Sequence, residues 1–270
     1  MISLKESLIN RKKNIDVASI VENDIKEFIL SNYEFLNEPP SHQRMLVEKE
    51  LIILKKDGKF SVSCRKDIEF KGDAKSLTND LFEWDTIDGN FYISSKSITS
   101  LKGGPKVING QFALFSTKSL KTLEYFPTSV KYDIRIIGCT DLTSLKGMPK
   151  SINGPLHVIN CALKDLKGCP NKIKNGLFMT TCWDLKSMVG CPTWVGFVVE
   201  FEACGMEEFD DCITGVEGNL VIHRCVYLKD ISGLKTSVHG TTRIEDCSEL
   251  SKDDIIQHSK KYPGLHVRVV

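Results

Sequence analysis

No charge of one sign dominates this 270-residue chain: 36 Lys and Arg stand against 35 Asp and Glu, a formal net charge of +1. So balanced a surface has no global field with which to hold a nucleic-acid backbone or an anionic membrane, so neither is expected as a partner. Long apolar runs are missing as well. No uninterrupted stretch approaches the roughly 18 residues that cross a bilayer, and Lys5, Glu6, Arg11, Lys12 and Lys13 stand where a secretory leader would carry its apolar segment. A cytoplasmic protein is expected. The ten cysteines never show the paired spacing of a zinc site, and a reducing compartment argues against a disulfide scaffold. With 41% hydrophobic residues the chain is neither disordered nor collagenous, and it is long enough for a sizeable core.

What the sequence does contain is a repeat. An apolar anchor recurs at Ile87, Ile108, Val130, Ile152, Ile173, Val195, Val216 and Val238, at spacings of 21 or 22 residues. After each anchor come two apolar residues in alternation, such as Phe112/Leu114, Ile134/Ile136 and Leu156/Val158, which predict a short strand with one buried face. A second apolar pair follows, three residues apart, as in Leu142/Leu145 and Leu163/Leu166. Proline then precedes the next anchor at Pro105, Pro127, Pro149, Pro170 and Pro192, predicting an extended or turned return arm. Cys139, Cys161, Cys182, Cys204, Cys225 and Cys247 each lie nine residues after an anchor and form one column; Cys169, Cys191 and Cys212 form a second on the return arm.

The segment Ile134-Arg-Ile136-Ile-Gly-Cys139-Thr-Asp-Leu142-Thr-Ser-Leu145 resembles a leucine-rich repeat, and Leu145-Lys-Gly-Met-Pro149 is similar to the short bacterial and phage-type repeats, including those of secreted ubiquitin-ligase effectors. The resemblance spans Ile87 to about Leu250. It implies an α/β repeat solenoid: a right-handed leucine-rich-repeat coil with a parallel sheet along its concave face and 3₁₀ turns and extended pieces on the return arm. Cysteine in the column is then read as a small inward side chain that fills space and satisfies backbone groups of the turn. A catalytic domain like that of the ligase effectors has no room in this chain, so their activity does not carry over.

Each end of such a stack needs a cap. Residues 1–50 are expected as a helical cap, with Ile2, Leu4 and Leu8 on one helix and Ile20, Ile25, Phe28, Ile29 and Phe35 on a second, closed by Pro39-Pro40. Residues 51–86 are read as a hairpin turning at Asp57-Gly58, followed by a degenerate unit with Ile68/Phe70 as its strand. The solenoid proper covers 87–250. Residues 251–270 form the C-terminal cap, a helix with Ser251 and Asp254 as its capping box and a last strand at Leu265–Val270.

Between the inward residues of each strand lie side chains that must point outward. Tyr92, Phe115, Ile137, Ile159 and Phe178 make an apolar stripe, flanked by Arg135 and His157; Glu200, Glu202, His223, Arg224, Arg243 and Glu245 make a charged rim. The expected function is recognition of a protein partner, without catalysis, metal or cofactor. The phage and bacterial resemblance implies a binder of a host protein in the host cytoplasm. The alternatives are a structural or virion-associated protein that self-associates through the stripe, or N-terminal helices folded back over it. A metal or acid/base site at Glu202, His223 and Glu245 is the weaker reading, because Arg224 and Arg243 lie among those carboxylates and would pair with them.

Overall fold

Apolar residues two apart turn to one face of an extended chain, and such a segment repeated every 21 or 22 residues satisfies its backbone by pairing with the next copy. The computed structural model describes residues 17–56, 58–209, 213–234, 237–261 and 267–269. In it the units stack as successive coils of a β-solenoid. One long sheet of eleven strands runs through every coil, and its consecutive strands are parallel except for the antiparallel first pair.

The anchors build a second layer. Val107–Ile108, Ser129–Val130, Ser151–Ile152, Lys172–Ile173, Trp194–Val195, Gly215–Val216 and Ser237–Val238 are two-residue strands, each with its anchor buried. They are divided between two five-stranded sheets, with a break between Ser129–Val130 and Ser151–Ile152. The return arm is thus partly strand, and among the described residues no helix lies within the coils. The α/β class expected from the resemblance gives way to an all-β coil with the described helices only at the ends, because each anchor strand finds a backbone partner in a neighbouring coil. Between the layers the inward strand residues, the Leu pairs and the anchors merge into one apolar core.

A tight turn links each long-sheet strand to the cysteine column. Ser116, Gly138, Asn160, Thr181, Ala203, Arg224 and Asp246 directly follow four-residue strands, and all are left-handed, with φ between 51 and 68°. Such a residue rotates the chain so that the next side chain points inward. Thr117 takes that position after Ser116, and the six column cysteines take it after the others. Each column thiol donates to the carbonyl two residues back, as in Cys161 Sγ to Ile159 O at 3.5 Å, and most also reach a strand carbonyl of the preceding coil, as in Cys204 Sγ to Met179 O at 3.4 Å. The column holds space-filling donors, as read from the sequence. On the return arm, burial pushes the free Cys169 thiol up to about 12. Cys191 is disulfide-bonded, whereas a reducing compartment had argued against disulfides. Coils stacked about 4.8 Å apart bring same-column cysteines within bridging distance. Cys212 lies outside the described residues.

The N-terminal cap departs from expectation in detail. Helix α1 (Val17–Asn32) buries Ile25 and Ile29, with Phe28 edge-on to Phe82, while Ile20 is exposed. Phe35 is not helical. It belongs to strand β1 (Tyr33–Phe35), whose two buried ends alternate with Glu34. Pro39-Pro40 opens rather than closes a helical stretch: a 3₁₀ turn, Pro40–His42, leads into helix α2 (Gln43–Glu50), since proline at a first helical position sacrifices no hydrogen bond. Strands β2 (Leu51–Lys56) and β3 (Lys59–Cys64) form the hairpin, and β4 (Ile68–Phe70) pairs antiparallel with β1. Tyr33 seals this end, donating to Leu77 O at 2.7 Å and accepting from Trp84 Nε1 at 2.8 Å among the rings of Phe70, Trp84 and Phe91. The helix expected at Ile2, Leu4 and Leu8, and Asp57 of the hairpin turn, lie outside the described residues.

At the other end helix α3 (Lys252–Lys261) begins at the expected cap, with Asp254 N–H bonded to Ser251 Oγ at 3.0 Å. His258 Nε2 donates to Leu234 O at 2.8 Å, tying the helix to the last coils. Of the strand expected over Leu265–Val270, residues Val267–Val269 pair in parallel with Thr242–Ile244; the rest is not described.

Candidate functional site

Strand register decides which outward side chains meet. Tyr92, Ala113, Arg135, His157, Phe178, Glu200, Val221 and Arg243 stand opposite one another on successive strands of the long sheet, as do Phe115, Ile137, Ile159, Thr180, Glu202, His223 and Glu245. These are the two columns read from the alternation. They adjoin on one face, so the apolar residues of the first coils and the charged residues of the last form a continuous surface.

The apolar residues are half-buried rather than fully exposed. Each flank of a residue in the middle of a sheet is covered by its neighbour in register, and only the tip reaches solvent. Tyr92 and Phe115 pack edge-on, centroids 5.8 Å apart, and burial raises the Tyr92 hydroxyl. Ala113, flanked by Tyr92 and Arg135, is buried. His157 stacks on Phe178 with centroids 4.5 Å apart and planes 5° from parallel. Burial, followed by the positive charge of Arg135, lowers the imidazole below its ordinary value. Arg135 is itself held by Asp133 at 2.9 Å. The described helices α1 and α2 pack on each other and on β1 and β2, at the N-terminal end of the stack.

In the charged half the triad Glu202, His223 and Glu245 does not converge. His223 Nε2 lies 3.1 Å from Asp246 Oδ2, Arg224 reaches Glu202 at 3.7 Å, and Arg243 pairs with Glu245. Among the described residues, no group of three or more His, Cys, Asp or Glu side chains is placed to hold a metal. Neutralised in pairs and partly exposed, these groups contribute little to stability and offer alternating signs to a partner. Glu200, between Phe178 and Val221, is half-buried.

Sequence reasoning missed a second polar ladder, on the outer side of the anchor strands. Trp194 Nε1 donates to Glu217 Oε1 at 2.9 Å, and Glu217 Oε2 meets His239 Nδ1 at 2.6 Å. These two bonds, that of Trp194 first, lower the Glu217 carboxyl. Its signal was the one-coil offset between the three residues. No helix among the described residues is long and apolar enough to cross a membrane. Compared with protein families, curated proteins and solved structures, the chain shows no match.

Proposed function

We propose that this solenoid is a leucine-rich-repeat type of recognition module, acting without catalysis, that binds a protein partner in the cytoplasm across the outward columns of its long sheet. The single observation that carries the reading is the register: Tyr92, Phe115, Ile137, Ile159 and Phe178 sit on five consecutive strands of one face, continuous with the paired charges from Glu202 to Asp246. Apolar and aromatic anchors beside a polar rim are the arrangement through which proteins bind one another. Cysteine as an inward donor beside the Leu pairs supports the leucine-rich-repeat assignment.

The test compares the tagged parent with a Phe115→Thr, Ile137→Thr variant in affinity capture from native lysate. Threonine is chosen because Thr180 already occupies that column. A protein retained by the parent and lost by a folded variant supports the reading; identical recovery by both, or none by either, overturns it.

A further inference from the structure

The described sheets have six ends, and five of them are strands of two or three residues. The sixth is β2, six residues long. It pairs only with β3, and among the described residues no strand lies on its other side. Its sequence, Leu51-Ile-Ile-Leu-Lys-Lys56, contains no proline, glycine or acidic residue, and Leu54 is 62% exposed. Long apolar edges of this kind are ordinarily shortened, charged or covered, because their unpaired backbone is a template for another strand. The polarity of that backbone can be assigned. The Glu50 carbonyl accepts from Arg65 N–H at 3.1 Å, so the alternation of an antiparallel ladder turns the N–H and C=O of Leu51, Ile53 and Lys55 to the free side.

We infer that β2 is a self-association edge, pairing antiparallel with β2 of a second copy of this chain about a two-fold axis through Ile53. A two-fold axis normal to the sheet keeps each side chain on its own face, so the opposed residues must share parity. Centred on Ile53, it sets Ile53 against Ile53, Ile52 against Leu54 and Leu51 against Lys55, and brings Glu50, the last residue of α2, beside Lys56. The middle is apolar, and each end carries an opposite-charge pair. Moving the centre to Lys55 opposes lysine to lysine; moving it to Leu51 or Ile52 sets Glu50 against an apolar residue. Of the centres from Leu51 to Lys55, that on Ile53 alone brings Glu50 beside a lysine. Leu51 and Ile53, which extend the core on their inner face, would be covered further, and the β2-containing five-stranded sheets of the two copies would join into one. No residue of the outward columns takes part, so a dimer would present the proposed binding surface twice.

The full chain is tested by sedimentation equilibrium from about 1 to 100 µM, a range that populates weak specific dimers. A concentration-dependent dimer is expected. Ile53→Pro removes an N–H that points away from β3, so it should leave the coil paired and the chain monomeric. Glu50→Lys or Lys56→Glu alone should weaken dimerisation about tenfold, while the two together restore it. The charge exchange decides the matter by itself if the proline variant does not fold. A monomer at every concentration overturns the inference. So does a dimer that survives Ile53→Pro but is lost in Phe115→Thr, Ile137→Thr, since self-association would then lie on the long sheet; so do charge variants that show no reciprocity.

Discussion

Replacing Thr242 by valine changes one hydroxyl to a methyl at a position otherwise occupied by Phe91, Phe112, Ile134, Leu156, Leu177, Val199 and Leu220. Thr242 is fully buried, in register with Leu220 on one side and Val267 on the other, and its Oγ1 has no hydrogen-bond partner among the described residues. An unpaired buried hydroxyl costs about 1–3 kcal/mol. Valine keeps the shape and the β-branching, so neither a cavity nor a loss of strand preference offsets the gain. The substitution should therefore stabilise the chain by about 1–2 kcal/mol, which for a protein of this size raises the unfolding midpoint by about 2–8 °C. Thermal and urea unfolding followed by far-UV circular dichroism measure this, with an unchanged urea slope showing that the surface exposed on unfolding is the same. Thr117 is the internal control: it is equally buried, but its hydroxyl lies 3.0 Å from Cys139 Sγ, so Thr117→Val should lower the midpoint. A neutral or destabilising Thr242→Val would refute the reasoning, since it would mean that the hydroxyl is satisfied in solution.

Other outcomes follow from coil-to-coil geometry. A Cβ at Gly154 would stand 2.0 Å from Tyr132 O, so Gly154→Ala should cost about 2–3 kcal/mol or more in urea unfolding. Thr181→Gly should be stabilising by about 0.5–1 kcal/mol, because a β-branched residue at φ 52° is strained and Gly138 already fills the equivalent turn; a loss of stability would place the strain elsewhere. The His157 ring should titrate by NMR below 6.5, and Arg135→Gln should raise its midpoint. Because the folded pKa lies below the unfolded one, the contribution of this group to stability is present above about pH 6.5 and is lost as the pH falls through the folded value. At the break in the anchor layer, Lys174 N–H bonds to Ile152 O at 3.1 Å whereas Asn153 has no corresponding bond to Val130; hydrogen exchange should be faster at Asn153 than at Lys174.

Much of the coil was legible in advance. Alternation is a local property, so Ile134 and Ile136 had to share a face and Arg135 the opposite one, and the 22-residue offset then stacked like on like. The cysteine column could be read because its place within the unit never changes. The left-handed residue before it could not: Ser116, Asn160, Thr181, Ala203 and Arg224 have no chemistry in common, and the turn, not the residue type, demands the conformation. Phe35 went to a strand because β4 offered a partner that no window around Phe35 contains. The half-burial of Ile137 and Ile159 likewise depends on what flanks them in register rather than on their own spacing.

The amino-acid sequence alone determined the repeat, its inward and outward columns and the positions where the stack needs ends, because these follow from periods of two and of 21 or 22 residues along one chain. Only the tertiary structure decided that His223 meets Asp246 while Arg243 takes Glu245, that the anchors pair as strands, and that β2 is left with one side open. Apart from Arg243 and Glu245, which are two residues apart on one strand, those choices depend on distances between atoms a coil or more apart, and a difference of a few ångströms between coils sets which of several chemically equivalent partners a group can reach.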